Sequence, residues 1–590
     1  MVPIKPWVPL PNLPLLQLEK QPMAGTPPHY ILISDFNLET LARILRNSTA
    51  QSASNVVVAP YGQVFQSLVG LHQPADPASA AQNIAILWTQ PQSLIKAYAD
   101  AASFAPYDKD TAWSEVDAFA DVVVRAARSL RALFISRWTV PHTERGLGPL
   151  AYKPEIGARL LLDQMNARLA ERLSEQPNVF FLDPDRWISE AGGDSAWNPV
   201  LWYAAKSPFT AKVFQSACND ITSYSSALEG RTKKLIILDL DDTLWGGVVG
   251  ETGWQGLTLG GHSHAGEAFQ DFQRALKALT RRGILLALCS KNDEAVALEA
   301  IDNHPEMILH RDDFASWKIN WRDKASNISA LLEEINLSPE ATLFIDDNPS
   351  ERGLVSDALP QVTVPDWPKN PSLYTSTLKS LDCFDTVTVS DEDRQRVGSY
   401  AAERKRRDML TSGTEETTSD WIERLEITVA VEQLSVTNLT RTTQLFNKTN
   451  QMNLTTRRMT ESELTAWASK PNRHLWTFRV SDRFGDYGLT GIISGEHIHD
   501  TVTITDFILS CRVMGRKVEA AMVHHVYEWA KAQGAKHLEA HFEPTDRNRP
   551  CLDFWNASGF DEVGAHHFRW SLITPYKAPS ALTLKWQVAA

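Results

Sequence analysis

Two acidic residues at the end of a short apolar run are the first candidates for chemistry in this sequence. In KKLIILDLDDTLWGG, four apolar residues precede Asp239, and Asp241 follows two positions later. A strand of a parallel α/β sheet would deliver Asp239 at its carboxyl end, where ligands bind, and strand alternation would place Asp241 on the same side. Two carboxylates this close repel unless a cation lies between them, and hard oxygen ligands suit Mg²⁺. One carboxylate can then attack phosphorus while the other moves the leaving group's proton.

Three segments downstream end in polar groups that suit the same reaction. ILLALCSKND predicts a buried strand ending at Ser290, whose hydroxyl can hold a phosphoryl oxygen. NWRDKASN supplies Lys324, a cation that can balance the transferred group. ATLFIDDNP predicts another strand, ending in Asp346 and Asp347 as further metal ligands. A lone Asp-x-Asp pair is a weak signal, whereas four such segments in order predict a phosphoryl-transfer site with Mg²⁺.

The order of these motifs resembles the haloacid dehalogenase superfamily, whose pattern is hhhhDxDxT, then hhhS/T, then Lys, then hhhhDD. The resemblance implies that Asp239 is the nucleophile that becomes an aspartyl phosphate and that Asp241 is the general acid and base. It also implies that the phosphoryl group is bound by Thr243, Ser290, Lys291 and Lys324. The implied Mg²⁺ ligands are Asp239, Asp241, Asp346, Asp347 and the carbonyl of Leu240.

The segment after the first motif has room for only a short cap. Between Trp245 and Gly260 a short hairpin fits before a helix that bears Phe269 and Phe272. Phosphatases of this superfamily that act on free small molecules usually carry a folded insert over the site. An open site suits a substrate presented on a macromolecule, or one closed off by a neighbouring domain.

The motifs DLDDTLWGGVVGE, LCSKND and FIDDNPSER together resemble the FkbH-like subgroup of that superfamily. The resemblance continues through QLFNKTNQMNLTTRR, DRFGDYGLTG and SCRVMGRKVE, so it covers about residues 233–568. It implies an enzyme that takes the acyl group of 1,3-bisphosphoglycerate, removes both phosphates and loads glycerate as a thioester on an acyl carrier protein for polyketide-type biosynthesis. An acyl phosphate is already activated toward a thiolate, whereas the distal phosphate ester is inert by comparison and suits the acidic site.

The last part of the chain, residues 421–573, resembles the GNAT acyltransferase fold. SCRVMGRK places Arg512 and Gly515 where backbone amides that open a helix cradle a pyrophosphate or a pantetheine phosphate. HFEPTDRNRPCLDFW places Asn548 where its amide can bond to pantetheine. Lys517 replaces the last small residue of the motif, which disfavours free coenzyme A and favours a carrier protein with an acidic surface.

Cys511 is our candidate for the thiol that carries the glyceryl group in transit. It ends a predicted strand beside Arg512, and a thiol near a cation and a helix N-terminus has a lowered pKa. His541 is the candidate base for this thiol. A buried core cysteine is the alternative reading of Cys511. Cys289 is the rival thiol, although strand alternation would aim it away from the site that Ser290 faces.

The chain before these motifs, residues 30–228, alternates five apolar strands with helical patterns, which predicts a doubly wound parallel sheet. It resembles SGNH-hydrolase-like domains. The nucleophile block appears as SDFN, with Phe36 where the nucleophilic serine should stand, and no histidine follows in DPDRWISEAGGDSAWN. Without a nucleophile and its base the triad cannot operate. We predict a structural or docking domain that lends one wall to the phosphatase site; Ser34 as a substitute nucleophile is the alternative.

The predicted architecture is α/β in three domains, within the three to five that 590 residues suggest. We call them the first unit (SGNH-like), the middle unit (haloacid dehalogenase-like, with a minimal cap) and the third unit (GNAT-like, mixed α/β). Between the last two, a charged linker predicts a helix with a solvated face, or alternatively a patch that docks a partner. The predicted boundaries are a Pro-rich leader (1–29), the first unit (30–228), the middle unit (229–384), the linker (385–420), the third unit (421–573) and a tail (574–590).

Composition narrows the function further. Lys and Arg number 58 against 71 Asp and Glu, and this net charge of −13 argues against a nucleic-acid binder. Apolar runs stay far below the ~18 residues of a membrane helix, so no membrane span is expected. Five cysteines without a CxxC pair predict neither a disulfide framework nor a structural zinc site. Eight prolines in the first 29 residues break any signal-peptide core, so a cytoplasmic protein is expected.

Two other functions stay open at this point. The chain could be a Mg²⁺-dependent phosphatase for another carrier-bound or small phosphate, with the third unit only as a binding platform. It could also be a scaffold without enzymatic activity. The set of Asp239, Asp241, Lys324 and Asp346 argues against the scaffold, because no packing need would gather these charges at strand ends.

Overall fold

The structure is a computed structural model in which three sheets form, one in each predicted unit. The predicted leader lies outside the described residues as far as residue 28. None of the described helices is both long and apolar enough to cross a bilayer. The described residues are 29–48, 55–72, 83–141, 144–389, 391–411, 422–449, 451–459, 461–545 and 548–586.

The first unit contains five parallel strands in the order β2-β1-β3-β4-β5, and all five predicted strands are present. Successive strand residues alternate between two hydrophobic cores, so helices cover both faces. The strands are β1 His29–Ser34, β2 Val56–Val58, β3 Asn83–Trp88, β4 Ala132–Ser136 and β5 Val179–Leu182. The helices are α1 Glu39–Ser48, α2 Val64–His72, α3 Pro91–Leu94, α4 Lys96–Ala102, α5 Lys109–Ala127, α6 Ala158–Leu173, α7 Pro184–Glu190, α8 Pro199–Ala205 and α9 Ala211–Leu228.

An aromatic cluster fills the place where the first unit would need a nucleophile. Phe36 is 2% exposed, and its ring meets the rings of Trp88 and Phe209 edge-on at centroid distances of 5.4 and 5.6 Å. The buried Ser34 hydroxyl accepts a hydrogen bond from the Phe36 amide at 3.1 Å. Ser34 thus stabilises the turn that buries Phe36, which agrees with a non-catalytic role for this end of β1.

The middle unit is a four-stranded parallel sheet in the order β8-β7-β6-β9. Because all its strands are parallel, their carboxyl ends share one edge of the sheet. The strands are β6 Leu235–Leu238, β7 Leu285–Ser290, β8 Phe314–Ile319 and β9 Thr342–Ile345. The helices are α10 Val249–Thr252, α11 His264–Thr280, α12 Glu294–Asn303, α13 Lys324–Ile335, α14 Pro349–Ala358 and α15 Tyr374–Ser380.

The described contacts between the first and middle units lie at the amino end of β6. The Ser223 hydroxyl donates to the Asp382 carbonyl at 2.9 Å and to the Asp385 carboxylate at 3.1 Å. The Lys233 amide donates to the Cys383 carbonyl at 2.9 Å, two residues before β6 begins. These contacts are at the opposite end of the strand from Asp239, so they do not form the wall of the phosphatase site that the sequence suggested.

The charged linker forms a helix, α16 Asp391–Thr411, that packs against both neighbouring units. Arg404 is 6% exposed and donates to the carbonyl of Arg311 at 2.7 Å and to that of Phe314. The adjacent Glu403 accepts a hydrogen bond from Arg516 Nη2 of the third unit at 2.8 Å. Of these two residues in the charged stretch, Arg404 is buried against the middle unit and the half-exposed Glu403 contacts the third unit.

The third unit has a nine-stranded sheet in which β14/β15 and β10/β18 are the parallel pairs. Its order is β16-β17-β15-β14-β13-β12-β10-β18, and β11 pairs with β14. The predicted tail therefore supplies an edge strand, β18. The strands are β10 Thr428–Gln433, β11 Met452–Asn453, β12 Arg473–Asp482, β13 Gly485–Ile498, β14 Thr501–Leu509, β15 His537–His541, β16 Asp561–Gly564, β17 His567–Ser571 and β18 Thr583–Trp586. The helices are α17 Val436–Lys448, α18 Glu461–Ala468, α19 Val518–Ala532 and α20 Arg549–Ala557.

Candidate active site

The shared edge of the middle sheet gathers the predicted acidic and basic groups. Asp239 directly follows β6 and Asp346 directly follows the neighbouring β9, and the Asp239 amide donates to the Ile345 carbonyl at 3.0 Å. Lys324 begins α13 and reaches the same place. Asp346, Lys324 and Asp239 are 0, 4 and 7% exposed, so the structure brings these charges together out of bulk water.

Lys324 bridges two of the carboxylates. Its Nζ lies 2.8 Å from Asp239 Oδ2 and 2.5 Å from Asp346 Oδ2. Burial lowers the pKa of Lys324, but the two carboxylates outweigh it and raise the pKa above its ordinary value. Burial and the charge of Asp239 raise the pKa of Asp346 to about 6, against the opposing effect of Lys324. The lysine therefore stays charged while the carboxylates remain in excess.

The remaining negative charge fits a divalent cation. Carboxylate oxygens of Asp239, Asp346 and Asp347, which we call the three-carboxylate cluster, lie within 4.8 Å of one another. Asp239 Oδ1 is buried and has no hydrogen-bond partner among the described residues. A buried polar atom of this kind is normally satisfied by a ligand. Since the Lys324 ammonium offsets one carboxylate, a divalent ion with a preference for oxygen would offset the other two.

Asp241 stands apart from this cluster. Its Oδ1 accepts hydrogen bonds from Trp245 Nε1 at 2.9 Å and from the Val249 amide at 3.1 Å, and its Oδ2 accepts one from Asn292 Nδ2 at 2.8 Å. Burial raises the pKa of Asp241, although these three donors oppose the shift. The prediction that Asp241 is a metal ligand is corrected, because Asp241 is not among the carboxylates that converge within 4.8 Å of one another. A held carboxyl with a raised pKa suits proton transfer instead.

The turn after Asp239 corrects two further predictions. The Leu240 carbonyl accepts the amides of Thr243 at 3.1 Å and Leu244 at 2.8 Å, so it closes the turn instead of facing a metal. Thr243 is fully buried, and its hydroxyl accepts the Asp347 amide at 3.2 Å and lies 3.3 Å from Asp347 Oδ1. Thr243 therefore positions the loop after β9 and does not contact a phosphoryl group.

The end of β7 presents the other predicted phosphate ligands. Ser290 is 3% exposed, and its carbonyl accepts the Asn320 amide at 3.1 Å, which ties β7 to the loop before α13. Lys291 Nζ pairs with Glu351 Oε1 at 2.6 Å. Phosphate binding by Lys291 stays a prediction, with Glu351 as the partner of its ammonium.

The cap is short, in agreement with the sequence. The amides and carbonyls of Gly246 and Thr258 exchange hydrogen bonds of 3.0 and 2.8 Å, and between them lie α10 and one further helical turn. A Cβ atom at Gly246 would come within 2.9 Å of the Phe269 ring, so the close approach of the cap to α11 requires glycine there. The cap leaves the strand ends without a folded lid of its own.

Sequence reasoning missed several residues that hold this edge together. Arg352 Nη1 donates to the carbonyls of Asp346 and Asp347 at 2.8 Å each. The Tyr374 hydroxyl donates to the Asp242 carbonyl at 3.0 Å. Asn292 and Arg352 lie inside motifs already quoted, so their place next to the acids was a usable signal. Tyr374 comes from a segment without any such signal.

The glycine turn of the third unit, residues 511–517, differs from the prediction. The Gly515 amide donates to Glu519 Oε1 at 2.6 Å, and Glu519 is 5% exposed, with burial raising its pKa. Arg512 Nε donates to the Ser510 hydroxyl at 3.3 Å. The prediction that Gly515 binds a phosphate is corrected, because a carboxylate already occupies its amide and would repel an anion.

The Asn548 side chain is also hydrogen-bonded within the protein. It is fully buried, its Nδ2 donates to the carbonyls of Asn453 at 3.0 Å and Glu543 at 2.8 Å, and its Oδ1 accepts the Thr545 amide at 2.7 Å. Its amide hydrogens and its oxygen are thus all in use. The prediction that Asn548 binds a pantetheine amide is corrected.

The segment Met452–Leu454, which contains the Asn453 carbonyl bonded to Asn548, fills the opening between β14 and β15. These parallel strands pair as far as Ile504 and Ala540, and beyond that point β11 pairs with the end of β14. The Leu454 amide donates to the Phe507 carbonyl, and the Leu454 carbonyl accepts the Glu543 amide, both at 3.0 Å. The chain itself therefore occupies a place where parallel strands part.

The candidate thiols are only partly described. The Cys511 backbone begins the 3-10 turn Cys511–Val513, but its side chain lies outside the described residues, so its role stays a prediction. Cys289 is fully buried, and burial raises the pKa of its thiol to about 12. A thiol with such a pKa is protonated at neutral pH, which argues against the rival. His541 is 55% exposed, and burial and the neighbouring His567 lower its pKa.

Comparisons with known proteins give one similarity that bears on the site. No protein-family profile matches the chain, and no curated protein is significantly similar to it. The N-terminal part of BF1531 from Bacteroides fragilis, which contains a phosphatase domain and was crystallised with Mg, is 27% identical over 61% of this chain and 95% of its own, with a TM-score of 0.54.

Two acetyltransferases are similar over about a quarter of the chain. The ribosomal-protein-S18-alanine N-acetyltransferase of Escherichia coli is 10% identical over 24% of this chain and 89% of its own, with a TM-score of 0.19. Spermidine N-acetyltransferase of Vibrio cholerae is 12% identical over 25% and 97%, with a TM-score of 0.20. Scores this low carry no conclusion about the activity of the third unit.

Proposed function

We propose that this chain is a Mg²⁺-dependent phosphatase that works through an aspartyl phosphate on Asp239. The observation that carries the proposal is the buried, unbonded Asp239 Oδ1 beside the Lys324 bridge and the three-carboxylate cluster. The similarity to BF1531, which contains a phosphatase domain complexed with Mg, supports the same reading. When bound by Asp239, Asp346 and Asp347, Mg²⁺ would supply positive charge to the phosphoryl oxygens.

In the first step, one carboxylate oxygen of Asp239 attacks phosphorus. A bond forms between this oxygen and phosphorus, and the bond from phosphorus to the leaving oxygen breaks. Asp241, whose pKa is raised by burial, gives its proton to the leaving oxygen. Lys324, held between Asp239 and Asp346, balances the charge of the transferred group without moving.

In the second step, water attacks the aspartyl phosphate. Asp241, now a carboxylate, takes a proton from the water as its oxygen bonds to phosphorus. The bond between phosphorus and Asp239 breaks, inorganic phosphate leaves, and both carboxyl groups return to their starting states. The three donors to Asp241 keep it in one orientation through both steps.

For the substrate, we propose 1,3-bisphosphoglycerate, with glycerate handed to an acyl carrier protein. The Cys511 thiolate would attack the acyl carbon and expel phosphate from it, and the Asp239 site would remove the distal phosphate. The support is the motif resemblance and the short cap. Because Gly515 and Asn548 are occupied, the pantetheine arm would have to reach Cys511 without using either of them.

The occupied positions favour a second candidate function. If the third unit binds no pantetheine, the chain is a phosphatase for another carrier-bound or small phosphate, and the third unit is a platform. The two candidates share the chemistry at Asp239 and differ only in acyl transfer.

The phosphatase proposal is tested with 4-nitrophenyl phosphate. Asp239→Asn should lower turnover by at least about a thousandfold because it removes the nucleophile. Asp357→Asn, an exposed aspartate on α14, should leave turnover unchanged. Removal of divalent ions with a chelator should abolish activity, and added Mg²⁺ should restore it. Equal rates for wild type and Asp239→Asn would overturn the proposal.

Acyl transfer is tested separately by intact-protein mass spectrometry. Wild type incubated with 1,3-bisphosphoglycerate and Mg²⁺ should gain the mass of one dephosphorylated glyceryl group, and Cys511→Ala should not. Cys511→Ala should still release phosphate from 4-nitrophenyl phosphate. An unmodified wild type that releases phosphate would support the phosphatase-only function.

A further inference from the structure

A second group of possible metal ligands lies in the third unit, on one face of its sheet. The antiparallel pair β15/β17 sets Glu539 opposite Arg569 and His541 opposite His567. Ala540, between the two β15 residues, is fully buried in the core. Since side chains alternate along a strand, the four polar residues project from the other face. Two rungs of one ladder, separated by the pair Ala540/Phe568, therefore hold the four residues next to one another on this face.

Three of the four side chains converge. Possible ligand atoms of Glu539, His541 and His567 all lie within 4.8 Å of one another. His567 Nε2 is 3.0 Å from Glu539 Oε2, and His541 Nε2 is 4.0 Å from the same oxygen. The two imidazole rings stack with their centroids 3.9 Å apart. Because His541 is 55% exposed, its ring can turn toward a bound ion without disturbing the core.

Arg569 fixes the carboxylate. Its Nε donates to Glu539 Oε1 at 2.6 Å, which leaves Oε2 directed at the imidazoles. Glu539 is 8% exposed, so this orientation is built into the sheet. A group that holds a metal ligand from behind in this way commonly sets the affinity of the site. Arg569 is thus a positioning residue.

We propose that Glu539, His541 and His567 bind one Zn²⁺ ion. Two imidazole nitrogens and one carboxylate oxygen are a ligand set that suits zinc, whereas Mg²⁺ prefers oxygen alone. Three protein ligands leave a fourth position, which on the side of the exposed His541 is open to water or to a small anionic or thiolate ligand. The site is independent of the proposed phosphatase, because it lies in a different unit and shares no residue with it.

Titration of the full chain with Zn²⁺ in excess Mg²⁺ tests this site, since Mg²⁺ keeps the three-carboxylate cluster filled. We expect one Zn²⁺ per chain. His541→Asn and His567→Asn should each weaken binding by at least about tenfold, and Arg569→Gln by about 10–100-fold. His499→Asn, at an exposed histidine in the turn between β13 and β14, should bind like wild type. Circular dichroism of each variant checks that the fold is kept.

Substitution of Co²⁺ for Zn²⁺ adds a spectroscopic readout of nitrogen ligation. The visible absorption of bound Co²⁺ should be present in wild type and in His499→Asn, and lost in His541→Asn. Absence of Zn²⁺ binding by wild type in excess Mg²⁺, or equal affinities of wild type, His541→Asn and His567→Asn, would overturn the proposal.

Discussion

The three-carboxylate cluster and the glycine turn follow the same sequence logic but differ in structure. Each was predicted from a short motif after a strand, and each was expected to meet a phosphate. In the middle unit, Asp239 keeps a buried oxygen without a protein partner. In the third unit, the Gly515 amide donates to Glu519, and the Asn548 side chain donates to the backbone carbonyls of Asn453 and Glu543. The first region keeps a buried acceptor without a hydrogen bond from the described residues, whereas the predicted ligand-binding groups of the second are hydrogen-bonded within the protein.

The difference arises from what surrounds each motif. The carboxyl ends of neighbouring parallel strands lie at one edge of the sheet. Motifs at these ends therefore come together regardless of the conformation of the loops. A glycine turn depends on which side chains pack over its amides, and these come from other parts of the chain. Charged groups at adjoining strand ends are therefore the stronger predictor of a site.

The largest effect that tests this comparison is expected at Lys324. Lys324→Met leaves two buried carboxylates without their cation, so the metal-free protein should lose about 3–5 kcal/mol of local stability. Hydrogen exchange of β6 and β9 amides measures this loss, and Mg²⁺ should recover part of it. Lys291→Met, which breaks a partly exposed ion pair, should cost no more than about 1 kcal/mol. Similar costs for the two variants would contradict the difference we draw between them.

A smaller effect is expected at Asn548. Asn548→Ala removes the partner of the buried Asn453 carbonyl and of the Glu543 carbonyl, and should destabilise the third unit by about 1–3 kcal/mol. Asn556→Ala, at an exposed position of α20, is the matched control. Urea unfolding followed by hydrogen exchange of β11 and β15 measures both. A negligible cost at Asn548 would mean that the segment does not depend on this amide.

Acid should weaken the third unit through His525. Burial lowers the pKa of His525 to about 3, and the ring packs edge-on against Trp476 and Phe478. Because the unfolded chain binds this proton at an ordinary pKa near 6.5, the contribution to stability is present above pH 6.5 and declines as the pH falls toward 3. Hydrogen exchange of α19 at several pH values should follow this decline, and His525→Leu should flatten it. A slope that His525→Leu leaves unchanged would assign the effect to other groups.

The smallest expected signal is that of coenzyme A. Isothermal titration of wild type with coenzyme A should give no binding heat, because Glu519 occupies the turn and Met452–Leu454 fills the opening between β14 and β15. Glu519→Gln removes the repelling charge but leaves the opening filled, so it too should give none. Tight binding to wild type would show that the segment moves aside.

Much of the fold was predictable because it depends on local patterns. The apolar runs of the first and middle units predicted eight of their nine strands. The exception is β8, whose FASWKI sequence has Ser316 at a buried position and Lys318 at a half-buried one. Asp239, Asp346 and Asp347 were found because each follows a predicted strand, and Lys324 was found by its place in the order of the motifs. The side-chain partners of Thr243 and Lys291 were not predictable, since Asp347 and Glu351 are distant in sequence. The partner of Gly515 was a usable signal, because Glu519 stands four residues later in a motif already quoted.

The zinc site that we propose was not predictable from the sequence for a related reason. A cysteine count finds metal sites made of repeated short motifs, whereas Glu539, His541 and His567 become neighbours only through the register of β15 and β17. No spacing in the sequence reports that register.

Side-chain contacts of α16 connect the middle unit to the third unit. Glu403 forms an ion pair with Arg516 in the glycine turn. The next residue, Arg404, donates hydrogen bonds to backbone carbonyls at the start of β8. Consecutive residues of a helix point about 100° apart, so Glu403 and Arg404 face different units. A rotation of α16 would therefore alter the contacts of both residues together. A displacement of the glycine turn would therefore be transmitted through two consecutive residues of α16 to the sheet whose strands end at Asp239 and Asp346.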